Sequence, residues 1–127
     1  MSRPSEISTL DCLSFLYVCA MAHDGEVTDS ESNILIEKIH EWEPGDQEAA
    51  RLSVAKASNW WVASFEQGGI DAVATEFIFC LANVKGSVED AAKRAILGDL
   101  AAIFEADGKV TEGEQGLYDL IRNDLFS

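Results

Sequence analysis

Basic residues are scarce in this chain. Nine lysines and arginines stand against 23 aspartates and glutamates, a formal net charge of −14. That balance excludes the basic stripe a nucleic-acid partner requires, and it opposes docking on an anionic membrane surface. Proline occurs twice, each time near the end of a predicted element, and no low-complexity tract or linker interrupts the 127 residues. One domain over residues 1–127 is therefore expected, long enough to bury roughly two thirds of its unfolded surface.

Cysteine is limited to Cys12, Cys19 and Cys80. Cys12 and Cys19 would share a helix face but sit about 10 Å apart along the axis, too far for a disulfide. All three lie in apolar runs and are expected as reduced core residues of a reducing compartment. Long apolar runs are also missing. "LSFLYVCAMA" (13–22) is too short to span a bilayer. Its Ala-Met-Ala ending resembles a signal-peptidase site and "LYVC" resembles a lipoprotein box. Against both, Glu6 and Asp11 stand upstream beside a single arginine, where a secretory signal wants net positive charge. The run also has a counterpart near residue 100. A core helix is expected, with no membrane insertion and a cytoplasmic location.

What is present is a repeat. "DGEVTDSE" (24–31) recurs as "DGKVTEGE" (107–114), 83 positions later, matching Asp24 to Asp107, Gly25 to Gly108, Val27 to Val110, Thr28 to Thr111 and Glu31 to Glu114. The flanks match in character too: "YVCAMAH" lies over "LAAIFEA", and Ile34-Leu35 over Leu117-Tyr118. Helical periodicity and capping signals predict helices over about 5–22, 29–42, 46–69, 71–84, 87–106 and 112–126. The breaks fall at the Gly68-Gly69 pair and at Lys85-Gly86, and Ser87 with Asp90 forms a capping box. No alternating stretch argues for a strand. The expected fold is all-α, a compact bundle of about six to seven helices built from two pseudo-symmetric helix–DG turn–helix halves. Of the adjacent Trp60 and Trp61, one should face the core and the other a helix edge.

Three readings compete for the motif. As a helix start, Asp-Gly turns the chain, Thr28-x-x-Glu31 and Thr111-x-x-Glu114 form capping boxes, and first-turn acids suit the helix dipole. As an EF-hand it fails. Positions 1 and 3 would be Ala20 and Ala22 in one copy and Ile103 and Glu105 in the other, so most of the calcium cage is missing. As one shared site, Asp24, Glu31, Asp107 and Glu114 would meet at one end of the bundle, with Glu26, Asp29, Glu105 and Glu112 nearby. Oxygen-rich clusters of that kind suit a hard divalent cation.

The doubled "DGxVTxxE", each copy between apolar helices, resembles the TerB-like domain of tellurite-resistance proteins. The resemblance covers nearly the whole chain, with its specific part in residues 20–39 and 102–121. It implies an all-helical bundle of two similar halves, an association with tellurite and other stress responses, and an acidic cluster binding a divalent metal ion. Carried onto this chain, the metal positions are Asp24, Glu31, Asp107 and Glu114. The family's frequent Ala-Asp-Gly is kept at Ala106-Asp107-Gly108, whereas His23-Asp24-Gly25 puts a titratable nitrogen beside the first copy.

No enzyme is read here. Glu37-x-x-His40 fits half of a di-iron bundle motif, but that chemistry needs two such motifs on different helices and the chain has only two histidines. No nucleophile elbow and no phosphate-cradling glycine loop occurs. The alternative to a cation-binding domain is a protein-interaction or scaffold module, with structural DG turns and an acidic face for a basic protein partner.

Overall fold

A computed structural model of the chain describes residues 6–21, 29–42, 47–105 and 112–126, the side chains of 29–31, 104–105 and 112–114 excepted. All regular structure among them is helical: α1 (Thr9–Met21), α2 (Asp29–Trp42), α3 (Gln47–Ser87), α4 (Asp90–Glu105) and α5 (Glu112–Leu125).

Helix α1 opens on a reciprocal cap. The Ser8 Oγ accepts from the Asp11 backbone N–H at 3.1 Å, and Asp11 Oδ2 accepts from the Ser8 N–H at 3.1 Å. Each side chain thus satisfies a donor that the first turn leaves without an intrahelical partner. Every residue from Asp11 to Met21 is buried. A helix that is apolar all round belongs at the centre of a bundle, and α1 packs against α2, α3 and α4. Residues 13–21 of the run "LSFLYVCAMA" thus lie in the expected core helix. Among the described residues no helix is long and apolar enough to cross a membrane.

The surrounding helices bury one stripe each. Helix α2 buries Leu35 and Ile39, α4 buries Ile96, Leu97, Leu100 and Ile103, and α5 buries Ile121 and Leu125. At the centre, the Phe15 and Trp60 rings lie 4.4 Å apart between centroids. Trp60 is 2% exposed, and Trp61 stacks on half-exposed Phe65 at 5.4 Å. Trp61 is itself only 9% exposed and lies in the same core, so the expected division of the pair between core and helix edge is not found: both tryptophans are buried.

Among the described residues five helices stand where six were expected, because α3 carries two of them. Its backbone leaves helical geometry at Gly68 (φ −149°, ψ 16°) and Gly69 (φ 67°, ψ −151°). The Trp60 Nε1–H nevertheless donates to Glu76 Oε1 at 3.1 Å. In one straight helix those two residues would be separated by about 24 Å, so α3 must fold back on itself at the glycine pair. A Cβ on Gly68 would come within 2.9 Å of the Ala72 Cβ, and Gly69 has a φ that L-residues rarely adopt. The expected boundary is real, as a bend within one element.

The next boundary differs. Helix α3 runs through Gly86 to Ser87, and α4 starts at Asp90 rather than at 87. Lys93 N–H donates to the Glu89 carbonyl at 2.9 Å, while Val88 N–H closes α3 on Val84 at 3.1 Å. The Gly86 backbone has no positive φ, so Lys85-Gly86 does not stop the helix. Ser87 ends α3 instead of capping α4.

Candidate functional site

The repeat emerges as helix–segment–helix at both ends of the chain. Helices α2 and α5 begin at Asp29 and Glu112, which are 83 positions apart, the same offset as the motif. Each starts directly after the motif threonine, and each packs against the helix before it. Of the four proposed ligands, Asp24 and Asp107 lie outside the described residues. Glu31 and Glu114 are third in α2 and α5, in the first turn, with side chains likewise outside the description. His23 is outside it too. Glu37 is exposed and His40 half-buried on α2. Among the described residues no three His, Cys, Asp or Glu side chains group as metal ligands.

The helices leading into the two motifs can be oriented from described contacts. Thr9, at the start of α1, donates to Asn83 Oδ1 at 3.3 Å. Asn83 lies one turn before the end of α3, and only two residues separate α3 from α4. About 12 Å further along α1, the Tyr17 hydroxyl donates to Asp99 Oδ2 of α4 at 2.7 Å. Both helices start near the same point and meet again the same distance on, so they run side by side in the same direction. Met21 and Glu105, their last residues, point toward one end of the bundle.

The two helices are not equivalent in burial. Helix α1 is enclosed on all sides, whereas α4 hides one stripe. Asp99 joins them. Besides Tyr17, it accepts from Trp42 Nε1–H at 3.2 Å, and Lys38 Nζ lies 3.7 Å from its Oδ1. One carboxylate therefore ties α1, α2 and α4 together. Burial and then the Asp99 hydrogen bond push the Tyr17 phenol well above its ordinary value, so it remains a proton donor. The sequence does carry a signal for Asp99: it is the only charged residue in "AILGDLAAIF".

A second polar knot lines a groove of about 500 Å³ between the start of α1 and the first limb of α3. Ser53 donates to Asp11 Oδ1 at 2.8 Å, Lys56 Nζ reaches Asp11 Oδ2 at 2.9 Å, and the Ser14 and Ser53 hydroxyls are 3.0 Å apart. Burial alone would raise the Asp11 carboxyl. The Lys56 ammonium, the Ser8 N–H and the Ser53 hydroxyl outweigh it and hold the group below its ordinary value. Ile7, Leu10 and Leu52 form the apolar wall. Asp11, Ser53 and Lys56 are engaged with one another across it, which joins the start of α1 to the first limb of α3.

Comparison with known proteins decides nothing further. No family model, no curated protein and no solved structure matches this chain. The likeness to the TerB-like domain thus rests on the doubled motif and its helical setting alone.

Proposed function

We propose that this chain is a TerB-like stress-response domain, cytoplasmic and non-enzymatic, that binds a divalent cation through its paired DGxVTxxE motifs. Asp24, Glu31, Asp107 and Glu114 are the proposed ligands, contributed by two pseudo-symmetric halves of one compact bundle. The observation that carries this reading is the shared direction of α1 and α4, drawn from the Thr9–Asn83 and Tyr17–Asp99 contacts. Had the two helices run in opposite senses, their following turns would leave from opposite ends of the bundle. The matching starts of α2 and α5 favour it as well. Four carboxylates brought together without a cation repel one another, and hard divalent ions are the partners that oxygen ligands prefer.

Thermal melts with calcium, magnesium, manganese or zinc, each against chelator, test it. An ion held at 100 times its Kd should stabilise the fold by about 2.7 kcal/mol. The gain should vanish in the Asp24→Asn, Asp107→Asn double variant. An unshifted melt with every ion, or an unchanged shift in the double variant, removes the site.

The interaction-module reading has its own support. Both helices start straight after the motif threonine and carry acidic first turns, so capping alone accounts for every motif residue. On that reading the double variant loses stability and the ion response never existed. A salt-sensitive complex with a basic protein partner would then be the function.

A further inference from the structure

The buried cysteines form a pattern that neither reading uses. Thr9 at the start of α1 bonds Asn83 near the end of α3, while Phe15 further along α1 packs on Trp60, which itself meets Phe79 and Glu76 earlier in the second limb, so α1 runs antiparallel to that limb. Three residues on in α1 and three back in α3 come Cys12 and Cys80, both 0% exposed. That register sets the two side chains against each other, and the Cys12 thiol is the main influence on the Cys80 thiol. Cys19 lies two turns further along α1 and is 8% exposed. None of the three is in a disulfide.

We propose that Cys12 and Cys80 are a redox pair that closes into a single disulfide, stapling α1 to α3, while Cys19 stays a thiol. The oxidant is a small disulfide of the glutathione type. A thiolate of the pair attacks one glutathione sulfur, giving a mixed disulfide and releasing one glutathione thiol. The second cysteine attacks the protein-side sulfur of that bond and releases the other glutathione. Two electrons leave the protein, and its two thiol protons are balanced by the two glutathione thiols formed.

The same burial sets the rate. The neighbouring Cys12 thiol and then burial raise the Cys80 thiol far above its ordinary value, and burial does the same for Cys19. Thiols kept protonated and covered react slowly. The pair therefore responds to sustained oxidation reached through local opening, and ignores brief exposure.

The pairing is what the test reads. In an unfolded chain Cys12 meets Cys19 far more often than Cys80, because the intervening loop is much shorter. A Cys12–Cys80 bond is thus a product of the folded arrangement. The full chain is held in native buffer with excess oxidised glutathione for hours to days, then alkylated, digested and mapped by mass spectrometry. The expected result is loss of two hydrogens, a Cys12–Cys80 linked peptide and alkylated Cys19. The melting temperature should rise on the order of 10 °C and return with dithiothreitol. Cys19→Ala should keep the linkage and the rise; Cys12→Ala and Cys80→Ala should lose both. Linkage mainly between Cys12 and Cys19, or persistence of three thiols, overturns the proposal. Mapping of the unsubstituted protein decides the matter even if a core variant fails to fold.

Discussion

Half-buried Asp99 and buried Asp11 define what single residues contribute. Asp99 accepts from Tyr17, whose ring and hydroxyl are 0% exposed. Tyr17→Phe removes one donor while Asp99 keeps Trp42 and Lys38, so the loss should be about 1 kcal/mol. Asp99→Ala leaves the buried phenol and the Trp42 indole without their acceptor, and should cost about 2–3 kcal/mol. Urea melts of both single variants and the double variant measure the coupling. If the two losses simply add, the hydrogen bond carries nothing. Asp11 makes a prediction in pH. Its folded carboxyl titrates below the ordinary 3.8, so ionised Asp11 stabilises the fold above that value, and the contribution fades as pH falls through the lower folded value. Asp11→Asn should therefore be less stable than the parent near neutrality, with the gap shrinking below about pH 4. A gap that stays constant down to pH ~3 would mean the charge is irrelevant.

Helices were the most legible layer, and the misread boundaries lie at the glycines of α3 and at the start of α1, expected near residue 5 and observed at Thr9. The sequence-based range of α2 matches its observed span, and the end of α5 falls one residue short of expectation. Motif threonines and periodic apolar residues define both. Gly68-Gly69 and Gly86 look alike as stops, yet only Gly69 takes a positive φ. Which glycine bends depends on what the following limb packs against, here Glu76 returning to Trp60, and a linear pattern does not contain that. A direct prediction follows from the contrast. Gly69→Ala should destabilise by about 1–3 kcal/mol, since its φ of 67° with ψ of −151° is strained for any L-residue. Gly86→Ala and Gly98→Ala, with nothing within 4 Å of the added Cβ, should instead stabilise by about 0.5–1 kcal/mol, because alanine restricts the unfolded chain and favours helix. Chemical denaturation of the three variants checks the sign at each position. The reciprocal Ser8–Asp11 cap was legible only in hindsight: Asp11 first reads as an argument against a signal peptide, and its pairing with Lys56 bridges residues 45 apart.

For the whole molecule, net charge and the repeat make one joint claim about the protein without metal. A net charge of −14 destabilises any compact state through self-repulsion. If Asp24 and Asp107 also share one patch, that repulsion is concentrated there, beyond what the average surface suffers. Neutralising both in the Asp24→Asn, Asp107→Asn variant should then stabilise the ion-free protein in chelator, even as it abolishes the response to divalent ions. The capping reading gives the opposite sign, because isosteric asparagines remove favourable charge near helix starts and cost about 0.3–1 kcal/mol each. Monovalent salt separates general screening from the site. Both proteins should gain stability from sodium chloride, since screening shortens the reach of every exposed charge. The gap between them should narrow with salt if repulsion at the patch is its cause. A double variant that melts below the parent in chelator at low salt would place the two aspartates in separate, structural turns, and the shared carboxylate site would be lost with it.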